Sequence, residues 1–335
     1  MLFSYNKINI DKKEVENLNC NKLMNLKCEK YFYIINYNRE FEEELCNMEI
    51  NSLFHIKPYG KQFFSNKYIN PSRSPFLKEV IKIRYEEDSL EKILLNIKKD
   101  SISYEKFKVC YVKNEDNNIS YEDRLRSIRE IGLIINGEAD IHNPEVLLGL
   151  SNVNGKWIFG EYEKNDFRWH IHDKKPYSYS NSLSLRVARA LVNIAVGDNI
   201  DQKLIDPCCG VGTVVIEALS MGIDVCGWEL NKHIAKNAER NLEFFGYENV
   251  ITHGNMISIR DLFDTAIIDM PYGLFTPITR SEQVSIIKAS RTITKRLIIV
   301  TFEDMSRIIE ESGFKIIDTA HVAKGKFKRY IRICI

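Results

Sequence analysis

The feature that most constrains this chain is the regular alternation of short apolar runs and helical periods through its second half. Lys203-Leu-Ile-Asp206 reads as a buried strand, Thr213–Met221 as a helix and Ile223–Trp228 as a second strand. Asn231 stands where a helix N-cap belongs, and the helix after it runs to about Phe245, stopped by Gly246. Val250–His253 and Thr265–Asp269 read as strands, Arg280–Thr294 as a helix and Leu297–Thr301 as a strand. Phe302–Glu311 is expected to be a helix closed by Gly313, and Phe314–His321 and Phe327–Ile333 two strands joined at Lys324-Gly325 as a hairpin. Strands separated by helices cannot pair through tight turns, so they build a mostly parallel sheet covered on both faces. The expected fold class is α/β, with an antiparallel edge supplied by the terminal hairpin.

The first half has another rhythm. Phe32–Tyr37, Lys78–Tyr85, Phe107–Val112, Val146–Leu150 and Trp157–Tyr162 read as strands, and Glu40–Met48 and Ser89–Lys99 as helices. Tyr121–Ile135 reads as a longer helix with Leu125, Ile128, Ile131 and Ile135 on one face. These are small α+β units with no Gly-rich loop and no catalytic cluster, so binding is their expected role. Segment 163–180, which carries Pro176 and several aromatics, reads as a connector. A chain of 335 residues divides into about two domains or more.

Composition narrows the function class by exclusion. No apolar stretch approaches the roughly 18 residues of a membrane helix, and the N-terminus lacks the apolar core of a secretory signal. A cytoplasmic protein with no membrane partner is expected. The eight cysteines include no C-x-x-C pair, so they are expected to be structural thiols, and no metal is expected. His142, His170 and His172 have no metal-like partners either. Net charge is +1, yet Lys324–Arg332 holds five cations and no acid, which suits a solvated edge or a phosphate-binding strip equally.

The chemistry concentrates in two turns that follow strands. Asp206-Pro-Cys-Cys-Gly-Val-Gly-Thr213 lies between a strand and a helix, and Gly210 and Gly212 let backbone amides approach a ligand closely. The third glycine of a dinucleotide fingerprint is absent, with Val215 in its place, which argues against a phosphate at the helix N-terminus. Glu229 follows Gly212 by 17 residues and closes the next strand, where a carboxylate can accept from both hydroxyls of a ribose. The next strands end at Gly254-Asn255 and at Asp269-Met-Pro-Tyr-Gly273.

Asp206–Thr213 resembles the cofactor loop of class I methyltransferases, and Asp269–Gly273 resembles the D/N-P-P-Y/F motif of enzymes that methylate exocyclic amines of bases. Lys175–Asn193 is similar to the segment before the cofactor loop in THUMP-domain tRNA guanine-N2 methyltransferases. Arg129–Gly132 followed by Asp140-Ile-His-Asn-Pro-Glu145 resembles the end of a THUMP domain. The resemblance covers most of residues 70–335. It implies a small ferredoxin-like module over 1–65, a THUMP-like RNA-binding domain over 66–165 and a methyltransferase domain over 166–335. The last is expected to be Rossmann-like, with a mostly parallel seven-stranded sheet ending in the hairpin.

The resemblance further implies S-adenosylmethionine as cofactor and tRNA as partner. Asp206, Cys208, Gly210, Gly212 and Thr213 would surround its methionine part, Glu229 the ribose and Asn255 the adenine edge, with Tyr179 and Ser182 closing the pocket. Asp269 and the backbone carbonyl at Met270 would accept the hydrogens of the target amine, Pro271 would shape the turn and Tyr272 would stack on an extruded base. Met270 stands where the family usually has proline, and Asn255 where it usually has aspartate. The expected activity is methylation of guanosine N2 in tRNA. The alternatives are the same reaction on rRNA, or a catalytically weak cofactor-binding, RNA-binding protein.

Overall fold

The structure is a computed structural model that describes residues 29–116, 119–179, 182–271, 278–324 and 327–335. Two sheets organise it. The first takes β1 (Lys30–Ile35), β2 (Gln62–Ser65), β3 (Leu77–Glu87), β4 (Phe107–Tyr111), β5 (Val146–Val153) and β6 (Lys156–Lys164) in the order β2-β1-β3-β6-β5-β4. Only β4 and β5 pair in parallel; the other neighbours are antiparallel. Strands from both sides of residue 65 therefore share one sheet, since β3 pairs with β1 across Phe32 and Ile81.

The second sheet contains β7 (Leu204–Asp206), β8 (Val225–Glu229), β9 (Ile251–His253), β10 (Phe263–Asp269), β11 (Thr294–Thr301), β12 (Ile316–Lys324) and β13 (Phe327–Cys334). Their order is β12-β13-β11-β10-β7-β8-β9. Five strands run in parallel, and β13 pairs antiparallel with both β11 and β12. This is the mostly parallel, seven-stranded α/β sheet with a terminal antiparallel hairpin that the sequence predicts. β7 lies next to β8 on one side and β10 on the other, although β8, β9 and β10 follow it in sequence. The strand order thus reverses at β7, and ligands of open α/β sheets bind at such a switch point.

The helices follow from capping and burial. Ser89 caps α2 (Leu90–Lys99) and Ser120 caps α3 (Tyr121–Ile134), each accepting a backbone N–H from the first turn. Both pack Ile93, Ile97 and Ile131 onto Leu148, Leu150 and Phe159 of the first sheet. Asn231 caps α6 (Lys232–Phe244) as expected, and Thr279 with Glu282 forms a capping box on α7 (Arg280–Ile293). The remaining helices are α1 (Glu43–Phe54), α4 (Leu185–Val196), α5 (Thr213–Ser220) and α8 (Ser306–Glu311).

Three differences from the sequence reading have physical causes. The sequence reading has no helix over α4, although Arg186, Arg189 and Asn193 share one face of it; those polar side chains serve the seam between the sheets, and eleven of its residues are buried. Helix α8 begins at Ser306 rather than Phe302, since the Thr301 hydroxyl donates to the Glu303 carbonyl and Asp304 accepts from Ser306. Strand β2 is only four residues long, too short to show a period.

The two sheets share a core. Helix α1 lies between them, and Leu45, Ile50 and Leu53 join one apolar cluster with Tyr33 and Val80 of the first sheet and Leu191, Val300 and Ile331 of the second. Buried polar side chains cross the same seam. Glu49 is fully buried and accepts from Asn193 Nδ2 at 2.7 Å and Ser74 Oγ at 2.5 Å. Arg73 Nε donates to Asn193 Oδ1. Arg186 pairs with Glu42 through both Nε and Nη2. Deeper in, Glu217 accepts from Arg189 Nη1 at 2.7 Å, and its other oxygen lies 2.6 Å from His172 Nδ1. Arg189 also donates to the Ser72 carbonyl. Among the described residues, no helix is long and apolar enough to cross a membrane.

Candidate cofactor and catalytic site

The site is built on strand ends. Leu204, Ile267, Ile298 and Val300 point their side chains into the core beneath α4, so their alternates along the same strands, Asp206 and Asp269, face that side too. The two carboxylates thus stand on neighbouring strands, at the carboxyl edge of the sheet. Asp206 is 4% exposed, and among the described residues its Oδ1 accepts from the Cys208 N–H, at 3.2 Å. Burial pushes its carboxyl up to about 8, and the charges of Asp269 and Glu229 add to the effect. Asp269 is pushed up to about 7, again by burial, with Arg329 opposing. Asp269 Oδ1 is buried and has no hydrogen-bond partner among the described residues.

The turn after Asp206 is held by the next strand. Cys209 N–H donates to the Trp228 carbonyl, Gly212 N–H to the Cys209 carbonyl and Gly210 N–H to Glu229 Oε2 at 3.0 Å. Gly210 and Gly212 sit at φ 55° and 83°, the left-handed region where a side chain is strained. A Cβ on Gly210 would meet nothing within 4 Å, so open space lies beside the loop. Gly212 opens α5, which starts at Thr213, whose buried Oγ1 has no partner among the described residues. Cys208 Sγ lies 3.9 Å from Met256 Sδ, and burial raises the thiols of both Cys208 and Cys209 far above their ordinary value.

Glu229 ends β8 as expected and spans two turns, with Oε1 accepting from the Asn231 N–H at 2.8 Å. Asn255 follows β9 and uses its Oδ1 to cap the short 3-10 turn Met256–Ser258 through the Ile257 N–H. Tyr179 is half-exposed, accepts through its hydroxyl from Asn237 Nδ2, and takes the Ser182 N–H on its carbonyl at 3.0 Å. In the second turn Met270 is buried among Ile268, Ile299 and Met305, and its N–H donates to the Val300 carbonyl. The Pro271 carbonyl accepts from Gln283 Nε2 at 3.3 Å. Tyr272 lies outside the described residues.

Four supporting features escaped the sequence reading. Asn241 is fully buried on α6; its Nδ2 donates to the carbonyls of Val211 and Tyr177, and its Oδ1 accepts from the Tyr177 N–H. With Asn237 and Arg240 it forms an i, i+3, i+4 polar stripe gripping Tyr177 and Tyr179, which helical spacing alone could have flagged. Leu230 and Ile257, 67% and 54% exposed, flank the strand ends at Glu229 and Asn255 as apolar residues with no core to enter. Gln283 reaches the second turn, and Arg329 stands at the same sheet edge, both from elements distant in sequence, which no local pattern reveals. Among the described residues no group of His, Cys, Asp and Glu could hold a metal ion.

Residues 172–297, which span this site, match the family described as UPF0020, RMKL-like, methyltransferase domain. The chain is 27% identical over 157 residues to the tRNA (guanine(10)-N2)-dimethyltransferase of Methanothermobacter thermautotrophicus, covering 44% of this chain and 46% of the relative. It is 26% identical over 205 residues to the enzyme of that name from Pyrococcus abyssi, covering 56% and 61%. The matches thus span about half of each relative's length. TrmN from Thermus thermophilus is similar in structure at a TM-score of 0.46 and 13% identity, over 91% of this chain and 99% of that one. The part of the chain that carries the two turns is thus similar to a methyltransferase domain and to tRNA guanine-N2 methyltransferases.

Proposed function

We propose that this protein transfers a methyl group from S-adenosylmethionine to the exocyclic N2 of a guanosine in tRNA. The observation that carries the reading is the pair of buried carboxylates, Asp206 and Asp269, on adjacent strand ends at the switch point of the sheet. Buried carboxylates short of hydrogen-bond donors are costly to hold charged, and such groups cluster where a ligand completes them. A ligand bearing a sulfonium and an ammonium charge answers that need. The open space beside Gly210, the exposed apolar pair Leu230 and Ile257, and Glu229 at a strand end suit the rest of it.

The cofactor, when bound, supplies an electrophilic methyl. Asp206, Cys208, Gly210, Gly212 and Thr213 line its methionine side, with Tyr179 and Ser182 across from them on the segment that α6 grips. Glu229 takes the ribose and Asn255 the adenine edge. The protein's own work is positioning. An exocyclic amine is a poor nucleophile because its lone pair is delocalised into the base. Asp269 and the Met270 carbonyl accept its hydrogens, which fixes the nitrogen and favours pyramidal geometry as the new bond forms. Met270, in place of proline, keeps the turn anchored through its buried side chain and its N–H to Val300. Pro271 continues the turn and Tyr272 stacks on the extruded base.

In this reading residues 66–165 form the THUMP-like unit that grips RNA by shape and phosphate contacts, with 1–65 as its ferredoxin-like companion. The shared core and the polar seam fix that unit against the catalytic sheet. A cytoplasmic location goes with a tRNA substrate. The test is methyl transfer from labelled S-adenosylmethionine into separated tRNA, rRNA and DNA, followed by nucleoside mass spectrometry. N2-methylguanosine in tRNA is the expected product; label only in rRNA or on adenine overturns the substrate, and no label in any pool overturns the activity. Asp269→Ala is expected to lower transfer by about 100-fold or more while leaving cofactor affinity within a few-fold. Wild-type turnover by that variant would remove Asp269 from the site.

A further inference from the structure

Asp269 is the stronger acceptor when it is ionised, and its surroundings work against ionisation. Strand β7 presents Asp206, the loop after it presents Cys208, and Glu229 lies beyond on β8; all three are acidic or neutral, and Asp206 and Cys208 both feel the charge of Asp269. On its other side Asp269 pairs with Val300, so β11 offers no charge until Glu303, which is exposed and sits 3.7 Å from Arg280.

Among the described residues, the cation whose charge acts on Asp269 comes from the antiparallel hairpin. Thr301 pairs with Tyr330, which places Arg329 level with Phe302, one residue past the end of β11 and at the same sheet edge as Asp269. Ile331 and Ile333 pack in the core cluster beneath α4 together with Val300 and Ile267, so Arg329 projects from the same face as Asp269. Its guanidinium lies 5.0 Å from the centre of the Phe302 ring, which holds its planar head at that edge. The Arg329 charge acts on Asp269 against the effect of burial.

We infer that Arg329 is a positioning residue for Asp269: its guanidinium, delivered to the carboxyl edge by β13, keeps the Asp269 carboxylate an acceptor for the target amine. This rests on the reading of Asp269 given above. It also assigns a role within the basic run 324–332 that net charge alone left undecided.

The test is the pH dependence of methyl transfer into bulk tRNA by the full chain, at saturating S-adenosylmethionine. For Arg329→Gln the acidic limb of kcat is expected to move up by about one pH unit. The rate then falls roughly fivefold at the wild-type midpoint, approaches a tenfold loss well below it, and stays within two- to threefold above pH 9. Arg329→Lys, which keeps the charge, is expected to restore the wild-type midpoint, and Asp269→Asn to remove the limb. Thermal melting and cofactor titration of each variant establish that it is folded; should Arg329→Gln fail there, Arg329→Met serves in its place. A loss of rate that is equal at every pH, or no change at all, overturns the inference. An unchanged limb in Asp269→Asn does so too, because another group then titrates. Loss of activity in Asp269→Ala beside an unshifted Arg329→Gln sinks the inference and leaves the site standing. Full activity in Asp269→Ala sinks the reading on which it rests.

Discussion

Two regions of this molecule bury ionisable groups, and they treat them in opposite ways. At the seam between the sheets, both Glu217 oxygens are engaged, one by Arg189 and one by His172, and both Glu49 oxygens accept hydrogen bonds. Among the described residues Trp169 Nε1 and Arg189 Nε lack partners there, but no carboxylate oxygen among the four does. At the carboxyl edge of the second sheet, Asp269 Oδ1 is buried with nothing to accept from, and Asp206 receives one backbone N–H. A raised carboxyl does not by itself separate the regions, since burial also pushes Glu49 up to about 7. The missing partner does. A satisfied network specifies how two units fit, whereas an unsatisfied charge marks where something else is meant to bind.

The sharpest way to break this contrast is to damage the seam. Glu217→Ala leaves Arg189 buried without its counter-charge and is expected to cost about 3–5 kcal/mol of stability by urea denaturation. The acidic limb of the pH–rate profile should stay where it is, measured where the variant is folded. A moved limb with unchanged stability would place the seam inside the site and erase the distinction.

The second effect is a pH dependence confined to the edge. Asp206 ionises near 4 in the unfolded chain and at about 8 in the folded one, so between those values the folded state holds a proton that the unfolded state has released. Stability of the cofactor-free protein therefore falls as pH rises from about 4 to about 8 and levels off above, at up to about 1.4 kcal/mol per unit for this group. Asp206→Asn removes that slope and should melt relatively higher than wild type at pH 8 than at pH 5. A cationic cofactor favours the ionised carboxylate, so its affinity should strengthen over the same rise in pH. Parallel melting curves for the two proteins across that range would show that Asp206 is already compensated.

The smallest expected effect comes from Gln283, whose side chain holds the Pro271 carbonyl from the first turn of α7. Gln283→Ala should lower kcat by about two- to fivefold, the scale of one neutral hydrogen bond, with KM for the cofactor unchanged. A change in that KM instead would mean α7 supports the cofactor side rather than the catalytic turn.

Much of this could be read along the chain. The strand–turn–helix units that present Asp206 and Glu229 depend on neighbours close in sequence, and so do the caps at Asn231 and Thr279. The continuous apolar runs of β10 and β11 announce strands buried on both faces, and Asp269 follows from where β10 stops. Helix α4 is the exception among the larger elements: its polar face, Arg186, Arg189 and Asn193, answers to partners on the other side of the seam, far away in sequence. What the tertiary structure alone decided is which strand ends meet. Sheet order brings β10 beside β7, so Asp269 meets Asp206 across 63 positions of chain. Antiparallel pairing carries Arg329 back to the same edge, and α7 delivers Gln283 to Pro271. Those meetings arise from the pairing of backbone groups and the burial of apolar faces over long separations, and neither leaves a local mark on the residues brought together.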